Sequence, residues 1–321
     1  MSDNQQLLLV SSHAPFWHNM SSLTAKNYNI MLAALPAALF GVWQYGMPAL
    51  GVISLSISCS MLWELLMNLI MKRDVSIGDG SAALIGLLLS MLLPAITPWW
   101  VVVVGTFVAI VVGKQIYGGV GGNPFNPVLV AFAILTLSWK GILDFDTALV
   151  NYDFGYCMIF PLGALKHFGA EAASNYDIHA LFMGHQTGGI GSVFGLGLII
   201  GGVYLMLRGY IRWEISLSYL LAVYLTETLF CLSAPGKYAD PMFHILTGYT
   251  LIGAFFLATE DSSSPVNFIP MLLYGAGAGL LTILIRNIGA YADGTVLAIL
   301  IMSVANPLMD KIRPAAIGRE I

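Results

Sequence analysis

The strongest constraint on this chain is a succession of long apolar stretches, so rarely interrupted by charge that water cannot be its main solvent. A bilayer-spanning helix needs about 20 consecutive, mostly apolar residues. Stretches of this kind occupy residues 28–46, 47–71, 76–95, 98–113, 126–139, 188–208, 213–233, 241–259, 268–286 and 293–310, the fourth and fifth being short. Composition agrees. Hydrophobic residues make up 58% of the 321 and charged residues 9%, against roughly 25% charged in a soluble domain. The expected fold is all-α: a polytopic membrane protein of about ten transmembrane helices, with lipid as its first partner.

Basic residues set the expected orientation, because they collect on the cytoplasmic side. With the N-terminus inside, Lys26, Lys72, Arg73, Lys114, Arg208, Arg212, Lys311, Arg313 and Arg319 fall inside, and Lys140, Lys166, Lys237 and Arg286 outside. This predicts a cytoplasmic tail over 1–27, one transmembrane domain over 28–310 with an external loop at 140–187, and a cytoplasmic tail over 311–321. The first 26 residues are polar and hold no apolar core of a cleaved signal peptide. Both termini are therefore expected on the cytoplasmic side of the membrane. Ten spans divide into five plus five, and an odd-numbered half must lie upside down against its partner, the logic of inverted repeats.

Several function classes are excluded. Net charge is −4 and no basic cluster is present, so nothing marks a nucleic-acid surface. Cys59, Cys157 and Cys231 are scattered and form no CxxC, giving neither a disulfide framework nor iron–sulfur ligands. His244 is the one histidine well inside a span, which leaves haem without a second axial ligand; it reads as a satisfied interior histidine. No metal-ligand set, GxSxG, HExxH or P-loop is present, so the chain is not a stand-alone enzyme and no catalytic residue is assigned.

Four places carry chemistry. KQIYGGVGGNPFNP (114–127) combines glycines that permit close backbone approach with prolines that block helix. Gly118, Gly119, Asn123 and Asn126 suit the polar edge of a flavin or quinone; equally, the two Asn side chains can satisfy broken backbone. Glu64 and Glu227 each sit inside an apolar span, at related positions of the two halves. A carboxylate there costs roughly 3 kcal/mol or more on insertion scales, so both are read as handling a cation or proton; the other reading is a protonated or hydrogen-bonded Glu locking helices together. Asp79, ahead of Ser81, is a pathway candidate or simply a helix cap, and Asp293-Gly294-Thr295 resembles it. Glu260 and Asp261 form either a solvated turn or the mouth of a cation route. The Gly197xxxGly201 and Gly275xxxGly279 spacings predict close helix packing.

GDGSAALIGLLLSMLLP (78–94), KQIYGGVGGNPFNP (114–127), FHILTGYTLIGAFFLAT (243–259) and IRNIGAYADGTVLAILIMSVANPL (285–308) resemble the NqrB/RnfD family. That family supplies the RnfD subunit of the Rnf electron-transport complex and the NqrB subunit of the sodium-pumping NADH:quinone reductase. The short N-terminus favours the RnfD side. The resemblance implies a membrane subunit coupling electron transfer to Na⁺ or H⁺ translocation. Its implied partners are an FMN-bearing periplasm-facing subunit, iron–sulfur-bearing membrane subunits and cytoplasmic subunits that oxidise NADH or ferredoxin. Noncovalent riboflavin or FMN is implied at Asn123 and Asn126, which match the family's Asn pair.

Two departures accompany the resemblance. The family's flavinylation motif, approximately Ser/Thr-Gly-Ala-Thr before Pro-Leu-x-Ala-Leu-Lys, here reads Cys157-Met158-Ile159-Phe160 before Pro161-Leu162-Gly163-Ala164-Leu165-Lys166. Phe160 has no hydroxyl to esterify, so covalent FMN is not expected, and Thr147 and Thr187 stand outside the motif. The family's Asp-Pro turn becomes Glu260-Asp261 with its proline displaced to Pro265. A rival reading follows from the missing threonine: a cofactor-free secondary transporter or channel-like subunit, or a structural membrane anchor.

Overall fold

The computed structural model describes residues 22–150, 152, 154–234 and 236–312. Most of the N-terminal tail, Asp153 in the external loop, and Arg313 and Arg319 of the C-terminal tail lie outside the described residues.

The described residues are helical and contain no strand. The helix α1 (Leu23–Tyr45) begins earlier than the apolar run at 28, because Ser22 caps it by accepting from the Ala25 N–H at 3.0 Å. Gly46 turns the chain into α2 (Met47–Ile70), with Pro48 in its first turn. Then follow α3 (Ser81–Leu92), α4 (Trp99–Phe107) continuing as a π-helix over Val108–Gln115, and α5 (Pro127–Ser138). Three short helices, α6 (Phe145–Ala148), α7 (Pro161–Phe168) and α8 (Ile178–Phe182), occupy the loop expected outside. The second group is α9 (Gly195–Leu207), α10 (Trp213–Ser233), α11 (Pro241–Leu246), α12 (Thr250–Ile252) with a π-helical continuation over Gly253–Leu257, α13 (Phe268–Asn287) and α14 (Thr295–Met309).

Among the described residues three helices, α2, α10 and α13, are long and apolar enough to cross a membrane, and several shorter apolar helices pack with them. Large apolar side chains such as Trp43, Leu62, Leu207 and Leu229 point outward. Such a surface suits lipid or neighbouring subunits, not water.

Two expected spans are not continuous helices. Residues 188–194 enter the interior without helical structure. Their backbone is satisfied by the end of α3, through Ile190 N–H to the Leu93 carbonyl and Gly191 N–H to the Met91 carbonyl, both at 3.0 Å. The stretch at 241–259 breaks between α11 and α12 at Gly248, with φ +65°. A Cβ there would stand 2.3 Å from Asp293 Oδ2, so both the backbone angle and the space require glycine. Irregular backbone of this kind persists in a membrane protein only where protein groups pair with it.

The glycine spacings pack as expected. A Cβ at Gly275 would fall 2.0 Å from Ser218 Oγ, and one at Gly201 would fall 2.2 Å from the Ala33 carbonyl oxygen. These contacts seat α13 on α10 and α9 on α1.

Candidate functional site

The bundle has two ends. One holds the starts of α1, α3 and α5 and the end of α4; the other holds α6 to α8 and the end of α13. At the first end lies a cavity of about 260 Å³. Its polar lining includes Asn123, Asn126, Glu260 and Lys114, and its apolar walls include Leu88 and Phe255. The structure therefore brings the Asn pair and Glu260 into one place. Asn123 Nδ2 donates to Glu260 Oε1 at 3.1 Å and to the Phe125 carbonyl at 2.9 Å. Asn126 accepts from the Val128 N–H, capping α5, and donates to the Leu257 carbonyl at the end of the second π-helix, both at 2.9 Å. Asn126 thus performs the backbone-satisfying role while lining the cavity. Gly118 and Gly119 do not line it; Arg73 donates to the Gly118 carbonyl at 3.0 Å, outside the cavity. At the mouth, Glu260 also accepts from the Ser262 hydroxyl and the Ser263 N–H, and Asp261 pairs with Lys26.

Glu64 lies beside this cavity and is closed. Lys114, expected at the cytoplasmic surface, is buried and donates to Glu64 Oε1 and Oε2 at 2.8 and 2.9 Å and to Ser81 Oγ at 2.6 Å. The ammonium group is thus held between the Glu64 carboxylate and the Ser81 hydroxyl. Ser76 donates to Glu64 Oε1 at 2.7 Å, and Asn68 supports Ser76 at 3.0 Å. Asp79 accepts from both the N–H and the hydroxyl of Ser81, at 2.8 and 2.6 Å, acting as a local cap for α3. Asp293 holds Thr295 in the same way ahead of α14. The likeness of the two turns is one of capping chemistry.

At the opposite end Arg286 fills the break between α11 and α12. It donates to the His244 carbonyl at 2.7 Å and to Thr250 Oγ1 at 2.8 Å, and pairs with Asp293 at 3.0 Å. Basic-residue counting puts Arg286 in a solvated outer loop; it is instead 3% exposed. The only sequence signal for its role is the glycine break opposite it. Glu227, also fully buried, accepts from Asn287 Nδ2 at 2.8 Å through Oε2. Among the described residues its Oε1 has no hydrogen-bond partner; it faces His244 Nε2 at 3.5 Å, longer than an ordinary N–H···O bond. Neither ring nitrogen of His244 has a partner among the described residues. The expectation of a satisfied interior histidine is therefore overturned: the packing of α11 against α10 and α13 buries the ring against a carboxylate and gives it no hydrogen bond.

Phe160 caps α7 at this end. Its N–H donates to Asp146 Oδ1 at 2.6 Å, and its buried ring lies 5.0 Å from that of Phe145. Burial pushes the Asp146 carboxyl up from its ordinary range, against the Phe160 N–H, which pulls it down. Thr147 is exposed and spends its hydroxyl on the Gly141 and Asp144 carbonyls, whereas Thr187 is buried with a hydroxyl that has no partner among the described residues.

An all-helical bundle with broken helices, apolar outer faces and buried ionic clusters at both ends is the mark of a membrane protein of the electron- or ion-transport kind. Residues 10–318 match the NQR2, RnfD, RnfE family, and the chain belongs to it. It is 35% identical over 308 residues, 95% of its length and 94% of the relative's, to the D subunit of the Na⁺-translocating ferredoxin:NAD⁺ oxidoreductase complex of Acetobacterium woodii. It is 34% identical over 310 residues to the D subunit of the proton-translocating ferredoxin:NAD⁺ oxidoreductase complex of Clostridium ljungdahlii, covering 94% of this chain and 93% of that one. To the D subunit of the ion-translocating oxidoreductase complex of Pectobacterium carotovorum it is 32% identical, over 95% of this chain and 97% of the relative.

Proposed function

We propose that this chain is the RnfD subunit of a bacterial Rnf-like complex, embedded in the inner membrane and coupling electron transfer to movement of Na⁺ or H⁺. Similarity along almost the whole chain to relatives so named carries the reading. Ten spans result when α1 to α5 form one half, and α9, α10, α11 with α12, α13 and α14 the other. An inverted relation between the halves is supported by their acids. Glu64 on the second helix of one half meets Lys114 at the end of the fourth, and Glu227 on the second helix of the other meets Asn287 at the end of the fourth. With both termini in the cytoplasm, α6 to α8 face the periplasm, where an FMN-bearing partner would dock. Iron–sulfur-bearing membrane subunits and NADH- or ferredoxin-oxidising cytoplasmic subunits complete the assembly.

The cavity at Asn123 and Asn126 fits a noncovalent flavin ring in part. Its volume lies just below the roughly 300 Å³ at which ligand pockets begin, and its apolar walls meet a polar edge. Lys114 is already engaged by Glu64 and Ser81, and Glu260 adds negative charge at the mouth, so uncharged riboflavin suits the site better than FMN. When bound, a flavin supplies one- and two-electron redox chemistry. The chain's own part is to offer Asn123 and the carbonyls it organises, and to exclude water with Leu88 and Phe255.

The test is flavin analysis of the complex purified in mild detergent and precipitated with acid. Flavin in the supernatant, with no fluorescence on this chain's gel band, is the expected result. Covalent fluorescence on the band would overturn the reading of Phe160 and direct attention to Thr147 and Thr187. No flavin in either fraction, with partners intact, would favour a cofactor-free ion-conducting or anchoring role.

A further inference from the structure

The two buried acids differ in a way that helix position does not express. Glu64 is closed: each oxygen is bonded, and its charge is cancelled by Lys114. Glu227 is open, with Oε1 and both imidazole nitrogens of His244 buried and unpartnered among the described residues. A buried polar atom left without a hydrogen bond is costly, so three together form an unfinished site.

Charge counting points the same way. Arg286 and Asp293 cancel each other at 3.0 Å. With His244 neutral, an ionised Glu227 leaves the cluster at −1, and a single unpaired charge away from water is costly. One added proton brings the sum to zero and completes a hydrogen bond across the 3.5 Å gap between Glu227 Oε1 and His244 Nε2. A metal cation fits poorly, since hard cations collect several oxygens and here one free carboxylate oxygen faces ring nitrogens. A route outward exists. Asn287, bonded to Glu227 Oε2, lines a cavity of about 170 Å³ at the end of α13 whose rim carries Lys166 and Lys237.

We propose that Glu227 and His244 form a one-proton binding site that exchanges with the α7 side of the membrane past Asn287. The carboxylate takes the proton on Oε1 and shares it with His244 Nε2; no bond other than O–H forms and no electron moves. The other ionisable groups near the pair are Cys231 on α10, Lys237 and Asp240 in the α10–α11 turn, Arg286 on α13, Asp293 ahead of α14, Tyr219 on α10 and Lys166 on α7. The proposal deepens the reading of the chain as ion-coupling and rests on it for its purpose, whereas occupancy of the site can be read separately.

The test is a pH titration of the intact complex by infrared difference spectroscopy, following the carbonyl stretch of protonated carboxyls. We expect a band that is lost in Glu227→Gln. In His244→Leu it should disappear about one pH unit lower, because a hydrogen bond favouring the protonated form is gone. His244→Phe, which also lacks a hydrogen-bonding group, serves if the leucine variant does not assemble. A band that survives Glu227→Gln, or one removed by Na⁺ at constant pH, would overturn the proposal. Electron-driven cation movement by the same complex in proteoliposomes reads the broader function; wild type that moves no cation would overturn that function and not the site.

Discussion

If Lys114 exists to neutralise Glu64, removing either must strand the other inside the protein. Lys114→Met leaves a carboxylate, fully buried, with only Ser76 as donor. Glu64→Gln leaves an ammonium group that is 2% exposed, with Ser81 and one amide oxygen as acceptors. Breaking a buried pair from one side costs about 3–5 kcal/mol, whereas replacing both partners by neutral groups of similar size is close to neutral. Each single variant should therefore lose roughly two to four powers of ten in its folded-to-unfolded ratio. The double variant should recover most of that, with a coupling energy on the order of 3 kcal/mol. Denaturant unfolding of the detergent-purified complex, following this chain's assembly, measures all four corners of the cycle. Single variants within about 1 kcal/mol of wild type, or a double variant whose loss is the sum of the singles, would refute the closed-pair argument. Glu64 would then be available to a moving ion, as its place in an apolar span suggests.

Four further outcomes follow. Arg286→Met should cost about 3–5 kcal/mol, because it strands Asp293 and the carbonyls at the break between α11 and α12; Arg286→Lys should recover only part of this in the same unfolding assay. Gly275→Ala should loosen α13 from α10 by about 1–3 kcal/mol, since its Cβ meets Ser218 Oγ at 2.0 Å and Ile215 carbonyl oxygen at 2.5 Å; accelerated proteolysis or loss of assembly would register it. Asp146 has a raised native pKa, so its folded form favours the proton: its contribution is present at low pH and is lost as pH rises from the unfolded value through the native one. Asp146→Asn should accordingly leave the α6–α7 region more resistant to proteolysis at neutral pH and flatten its pH dependence, with Asn still able to accept from the Phe160 N–H. Replacing residues 157–160 by Ser-Gly-Ala-Thr, in a host able to attach flavin, should yield a fluorescent gel band; a dark band would argue against the alignment that puts Phe160 at the attachment point.

Sequence alone reveals where helices exist better than where they stop. Apolar length accounts for α2, α10 and α13, and glycine spacing for the seats of α9 and α13, because both properties are local to the helix. The breaks at 188–194 and around Gly248 cannot be seen that way. Each is stabilised by groups far along the chain: the Met91 and Leu93 carbonyls in one case, the Arg286 guanidinium in the other. The sites divide similarly. Asn123, Asn126 and Glu260 are each visible as polar residues at interrupted helices, but only folding brings Asn123 within 3.1 Å of Glu260. Lys114 is expected at the surface because a lysine at a helix end ordinarily reaches water; its partner lies 50 residues earlier in sequence.

The asymmetry of the two buried acids also bears on how the proposed coupling can work. Were both carboxylates closed by a lysine, the chain would contain two rigid struts and no place for a cation to bind. Were both open, each end would bind cations independently, and nothing in the structure would make one end differ from the other. Instead the end with the Asn123 cavity carries a neutral, fully bonded pair, and the opposite end carries a carboxylate opposed by an unbonded imidazole. Glu227 is bonded by Asn287 where Glu64 is bonded by Lys114, and an amide bonds a carboxylate without neutralising it. Asn287→Lys should therefore convert the second cluster into the first: it should remove the Glu227 carboxyl band from the infrared titration while preserving assembly. If the band persisted, the partner at the helix end would not be what leaves Glu227 able to take a proton.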